Sequence, residues 1–196
     1  MNKEDLLRNI AETAYNVGFG AKKHFATFDI TSKLPGTIAF ASSAVGIFSL
    51  LFESTSKKYL SAAFIVFGFV GLRISTWDHK KMDYAEAGEK LTAIFNRLKA
   101  LYFNVKAAET ADLSVYENEL SAIWDANTKP GRSDQILFSD WYAHYKFFWQ
   151  QQIEWIEESR PFSFWRDKLP LSFSAFLMLA VVGSILTFVL SSSCQR

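Results

Sequence analysis

Charge is distributed along this chain in blocks. Thr37 to Phe52 contains no Asp, Glu, Lys or Arg; a polar knot from Glu53 to Lys58 follows, and a second uncharged run, Tyr59 to Leu72, ends at Arg73. Each run is a little shorter than the roughly 20 residues that cross a bilayer, but Leu34, Pro35 and Gly36 lengthen the first and Ile74, Ser75 and Thr76 the second. Two uncharged helices joined by so short a link must lie antiparallel, so residues 34–77 predict a transmembrane helical hairpin, with a hydrophobic hairpin of a soluble protein as the alternative. A third uncharged run, Leu169 to Leu190, has full bilayer length and lies within residues 166–196. A helix apolar on every side needs lipid or a large protein around it, and 196 residues are too few to bury it. It predicts a third, C-terminal transmembrane helix.

Outside these runs the pattern is amphipathic. In residues 1–33, Leu6, Ile10, Ala14, Val17 and Ala21 recur at helical spacing behind an Asn2 cap and an acidic first turn of Glu4 and Asp5. Gly18 and Gly20 interrupt this amphipathic N-terminal helix and predict a hinge before the membrane. Lys22, Lys23, His24 and Phe25 form a basic, aromatic end suited to an anionic membrane surface.

Residues 78–165 predict a cytoplasmic antiparallel helical bundle. Tyr84, Leu91, Leu98 and Val105 recur every seven residues, a coiled-coil period, with Ala87, Ile94, Leu101 and Ala108 between them and Phe95 and Tyr102 widening the stripe. Asp112 and Ser114, the latter three residues before Glu117, cap a shorter helix expected to bury Val115, Leu120, Ile123 and Trp124. After a break at Lys129 to Arg132, Ser133 or Asp134 caps a last helix with the stripe Phe138, Trp141, Tyr145, Phe148, Gln152 and Trp155. The assembly seam is therefore expected at Leu91, Ile94, Leu98 and Leu101 facing Phe138, Trp141, Tyr145 and Phe148, its aromatic side broad enough to leave surface for another subunit. Phe162, Phe164 and Trp165 form an interfacial belt before the third run.

Composition removes several function classes. A net charge of +1 gives no reason to expect nucleic acid binding. The single cysteine, Cys194, allows neither an internal disulfide nor a thiolate metal site, and His24, His79 and His144 lie in separate segments, so no metal is expected. No catalytic or cofactor-binding motif is evident and the chain does not read as an enzyme; Asp78 with His79, and Asp140 with His144, are taken as helix-surface contacts. Met1 to Ile30 has no apolar core of a signal peptide. Lys and Arg flank the runs at Lys22, Lys23, Lys33, Arg73, Lys80, Lys81, Arg160, Arg166 and Lys168, which puts the N-terminus and the bundle in the cytoplasm and the C-terminus outside. Small residues collect on the first run at Ser42, Ser43, Gly46 and Ser49. They fit either tight packing within one protomer or a pore face in a homo-oligomer.

The lead-in from Ala14 to Phe25, the hairpin, the Asp78-His-Lys-Lys81 exit, the helix with Leu91, Phe95, Leu98 and Tyr102, and the run from Phe138 to Tyr145 together resemble the SLATT family. The resemblance implies a bacterial inner-membrane effector of anti-phage defence that oligomerises into pores, working with a nucleotide second messenger or a partner defence protein. It supplies no catalytic residues, and it would make the hairpin, hence Ser42, Ser43, Gly46 and Ser49, the pore region. A membrane-anchored module that conducts nothing and presents its bundle to a partner protein is the competing expectation.

Overall fold

The computed structural model describes residues 1–51, 58–109, 112–127 and 134–193, without the side chains of residues 49–51, 58–59, 126–127 and 186–193. The polar knot at 53–57, the Lys129 to Arg132 break, Ser133, Cys194 and the side chain of Ser49 lie outside that description. In chain order the helices are α1 (Lys3–Leu51), α2 (Lys58–Ser75), α3 (Lys81–Ala107), α4 (Ser114–Asn127), α5 (Ser139–Gln150), α6 (Glu154–Ser159) and α7 (Leu171–Ser193). A 3₁₀ turn at Asp78–Lys80 joins α2 to α3, and a π-helical turn at Phe164–Lys168 precedes α7. The described residues are all-α, without a strand.

α1 runs 49 residues, about 73 Å at 1.5 Å per residue, and its two halves live in different surroundings. Asn2 caps it: its side-chain oxygen accepts from the Asp5 N–H at 2.7 Å. The first half is the centre of the bundle. Leu6, Ile10, Ala14, Val17 and Ala21, the sequence-predicted stripe, are all buried, against α3, α5 and α6. The second half pairs with α2.

α2, the 3₁₀ turn and α3 form a return path beside α1. Gly71 approaches Ile38, Gly88 lies against Phe25 and Phe95 against Gly18, so paired positions advance on one rod as they recede on the other; Tyr84 lies against His24 between them. At the far end, Lys3 Nζ donates to the carbonyls of Lys106 (2.9 Å) and Ala108 (2.8 Å) and caps α3 with a cation at its negative end.

Three expectations change. The helix continues through Gly18 and Gly20 without a hinge. A Cβ on Gly18 would stand 2.7 Å from the Phe95 ring and 2.9 Å from Phe147, so this glycine admits two rings rather than a bend. Second, α3 packs along α1 and not along α5: the sequence has two matched seams, but the N-terminal helix fills the space between them. Third, the long last helix is two short ones. Asp134 caps nothing, α5 starts at Ser139 behind Phe138 at φ 68°, and the chain leaves the helix at Gln151 (ψ 141°), with Gln152 exposed.

The buried face of α5 is accordingly Ser139, Ala143 and Phe147. At the start of α4 the Ser114 N–H donates to Asp112 Oδ1 at 3.0 Å, while Glu117 gives its carboxylate to the Met1 amine (2.8 Å) rather than closing the expected box. Ile123 is buried, but Val115 and Trp124 are exposed and Leu113 and Tyr116 take their places.

Candidate functional site at the junction of hairpin and bundle

The bundle encloses a buried core, although Val115, Leu137 and Trp149 stay exposed, whereas the hairpin buries almost none of its apolar side chains. Phe40 is 79% exposed, Phe69 69% and Leu72 68%, and Ile47, Ile65, Val66 and Phe67 are exposed too. Withdrawing one such side chain from water is worth roughly 1.5–3 kcal/mol, so leaving a handful in water would cost as much as the 5–15 kcal/mol that hold an ordinary domain together. α7 shows the same surface at Leu171, Phe176, Met178 and Leu179. By length and apolarity one described helical rod, Leu60–Ala107, contains a stretch able to cross a bilayer, and α7 contributes a shorter apolar helix over its described side chains, Leu171–Ile185.

The sequence-predicted small residues sit on this open surface. Ser42 is half-buried one turn from Ile38, the residue that meets Gly71 of α2. Ser43 is exposed and its hydroxyl donates back to the Ala39 carbonyl at 2.9 Å. Gly46 has open space where a Cβ would stand. Ser42 and Gly46 are one turn apart, whereas Ser43 projects about 100° away, from 3.6 residues per turn.

Of the expected seam, Leu98 and Leu101 are fully buried against α1, and Leu91, Ile94 and Phe148 border the core. Phe138 and Tyr145 are exposed. Trp141 reaches the other way, to α7: its Nε1–H donates to Ser172 Oγ at 2.9 Å and its ring packs on Phe173 and Phe176.

Between these zones lies a network of polar contacts. Thr27 Oγ1 donates to Gln135 Oε1 at 2.6 Å, and Tyr84 OH to the Asp134 carbonyl at 2.8 Å. These two bonds fasten the segment before α5 to α1 and α3. They hold Phe138 left-handed, a conformation costing a non-glycine residue about 1–2 kcal/mol. Asp29 receives both Lys146 and, at 2.7 Å, Lys33. Burial raises the Asp29 carboxyl, and the two lysine hydrogen bonds outweigh it and hold the group below the usual carboxylate range. Lys22, half-buried nearby, is lowered by burial and by the charge of Lys146.

Lys23 pairs with Asp140 at 3.1 Å, while His144 Nδ1–H donates to the Asp140 backbone carbonyl at 2.9 Å, the Asp140 carboxylate lying at 3.8 Å. Asp78 pairs with Lys81 at 2.7 Å, a contact on the helix surface. His24 is 7% exposed, its Nδ1 without a partner; burial, then Lys23, lowers its pKa. Among the described residues no three His, Cys, Asp or Glu side chains converge as metal ligands would.

Gln135 of this network also lines a cavity of about 720 Å³, whose other walls are Ile30 and Leu34 of α1, Val70, Arg73 and Ile74 of α2, Trp77, residues 136–138, and Trp141 and Tyr142 of α5. Nothing in the residue pattern announces it, because its walls come from three widely separated stretches, residues 30–34, 70–77 and 135–142. The nearest signal is Trp77, an aromatic residue just beyond the second uncharged run.

Residues 1–177 match the family model described as "SMODS and SLOG-associating 2TM effector domain 6". That match includes the hairpin, the bundle and only the first turns of α7. No curated protein and no solved structure matches the chain.

Proposed function

We propose, from the premise that this chain belongs to the SLATT family of SMODS- and SLOG-associating effector domains, that it is a membrane effector whose hairpins oligomerise into a pore when a partner signals. Membrane association follows from the two-helix effector family and the apolar helix. Our reading goes further. α1 from residue 34, α2 and α7 each cross the bilayer, the N-terminus and bundle face the cytoplasm, and the C-terminus lies outside, on the positive-inside distribution of Lys and Arg. The observation that supports it is the contrast between a bundle whose Leu6, Ile10 and Leu98 are wholly buried and a hairpin whose Phe40 and Phe69 are open.

Three helices enclose no water-filled path, so conduction requires several protomers, and Ser42 and Gly46 offer small side chains on the face that would approach a neighbour. α1 gives the coupling: a bundle centred on its first half cannot rearrange without moving its second half. The signal is a nucleotide second messenger or a partner defence protein. The test is ion flux from liposomes holding the wild-type chain or Ser42→Leu/Ser43→Leu. Wild-type flux and its loss in the double variant support the pore face. Equal flux refutes that face, and intact membrane potential in cells that the triggered protein still arrests refutes conduction in favour of a non-conducting anchor.

A further inference from the structure

The junction cavity has a character that neither a pore nor a bundle needs. Its walls are almost wholly apolar, yet they include one guanidinium, Arg73, which among the described residues has no acidic partner. Its volume of about 720 Å³ is within the roughly 300–1,000 Å³ of sites that hold a small molecule. Val70, exposed on the apolar hairpin, is also one of its walls, so the cavity is continuous with the surface that would face lipid. Trp77 and Trp141 stand in the lining, where amphipathic rings belong at headgroup level. Beside it Lys33 and Lys146 share the single carboxylate of Asp29, which leaves excess positive charge at that level.

We infer that the junction cavity binds one anionic phospholipid, its acyl chain between Val70, Leu34 and Trp141 and its phosphate on Arg73. A nucleotide fits poorly: its base and ribose would lie against apolar walls with their polar groups unpaired. A neutral phospholipid would fill the same apolar space but lack the net charge that a lone cation selects. The inference rests on the hairpin lying in the bilayer and not on pore formation, so liposome flux and lipid binding can fail separately.

Native mass spectrometry of the full chain, extracted from vesicles of mixed phosphatidylglycerol and phosphatidylcholine, tests it. One phosphatidylglycerol should remain per protomer, preferred over phosphatidylcholine by roughly fivefold, the factor that corresponds to the about 1 kcal/mol that one Lys or Arg gains beside an anionic lipid. Arg73→Gln should bring that preference near parity, Arg73→Lys should keep most of it, and Val70→Trp should expel lipid of both kinds by filling the cavity. Inorganic phosphate should displace nothing. No retained lipid, equal retention of both lipids by wild type, unchanged preference in Arg73→Gln, or displacement by phosphate would each overturn the assignment. A chain recovered without membrane would instead refute the bilayer placement beneath it.

Discussion

Alanine at Gly18 and at Gly20 should move stability in opposite directions. At Gly18 the new methyl would meet Phe95 at 2.7 and 2.8 Å and Phe147 at 2.9 Å, rings fixed on two different helices, α3 and α5. Neither is a loose end, because Phe95 packs on Trp155 and Phe147 is fully buried against Tyr15 and Phe19. Overpacking of this kind costs about 1–3 kcal/mol, and alanine returns about 0.8–1 kcal/mol of helix propensity. The upper part of that range applies when two rings must move, leaving Gly18→Ala destabilised by about 1–2 kcal/mol. At Gly20 the methyl would meet only Leu91, at 3.6 Å, an ordinary contact, so the propensity gain of up to about 1 kcal/mol stands nearly alone. For a chain of this size each kcal/mol moves Tm by about 2–4 °C. Thermal unfolding of the purified full chain in detergent should therefore show Tm falling in Gly18→Ala and rising in Gly20→Ala. A hinge would make both alanines stiffen the same joint. Gly18→Ala as stable as wild type would refute the packing argument.

Three further outcomes follow from the junction. His24 is buried with its pKa lowered, so below about pH 6.5 the unfolded chain binds a proton that the folded chain resists; stability should fall with acid through that window, and His24→Phe should flatten the dependence of the unfolding midpoint on pH. Asp29, held low by Lys146 and Lys33, contributes stability present above about pH 3.9 and lost as pH falls through its lower folded value. Asp29→Asn should thus cost about 1–3 kcal/mol at neutral pH, and its deficit relative to wild type should close in strong acid; a constant deficit in urea titrations at both pH values would refute the ion pairing. Trp141→Phe keeps an aromatic ring but loses the 2.9 Å bond to Ser172, so it and Ser172→Ala should each cost about 0.5–1.5 kcal/mol and the double variant no more than either; additive costs would mean that the two side chains do not interact.

The hydrophobic pattern carried most of the helices and little of their partnership. Leu6, Ile10, Ala14, Val17 and Ala21 were legible as one face of one helix, and every one of them is buried. Periodicity reports that a face is covered, not by what, and the basic end at Lys22 and Lys23 suited a membrane surface as well as it suits Asp140. The break at Gln151 had no proline or glycine to mark it. The left-handed Phe138 is imposed from outside its own sequence, by Tyr84 and Thr27 pulling residues 134 and 135 onto α3 and α1. The expected stripe from Phe138 to Trp155 assumed one uninterrupted helix. Once the chain starts α5 at Ser139 and leaves it at Gln151, the periods on the two sides of the break no longer share a face, and Phe147 rather than Phe148 enters the core.

The junction was illegible for a related reason, and it bears on how the molecule could work. Ile30, Val70, Trp77, Gln135 and Trp141 have no common period, and only the return of α2 beside α1 and the tethering of residues 134–135 bring them around one cavity. Every element that meets there leads into one zone or the other: α1 and the α2–α3 rod pass through it, and Trp141 joins α5 to α7. A helix uninterrupted from the buried Leu6 to the exposed Ile47 transmits rotation and tilt that a glycine hinge would absorb. Pro35 removes only the one hydrogen bond that the Thr31 carbonyl would otherwise receive, so the most compliant point of α1 lies one residue from Leu34, in the wall of the cavity itself. Whatever occupies the cavity therefore bears on the most compliant point of the helix that couples bundle to hairpin.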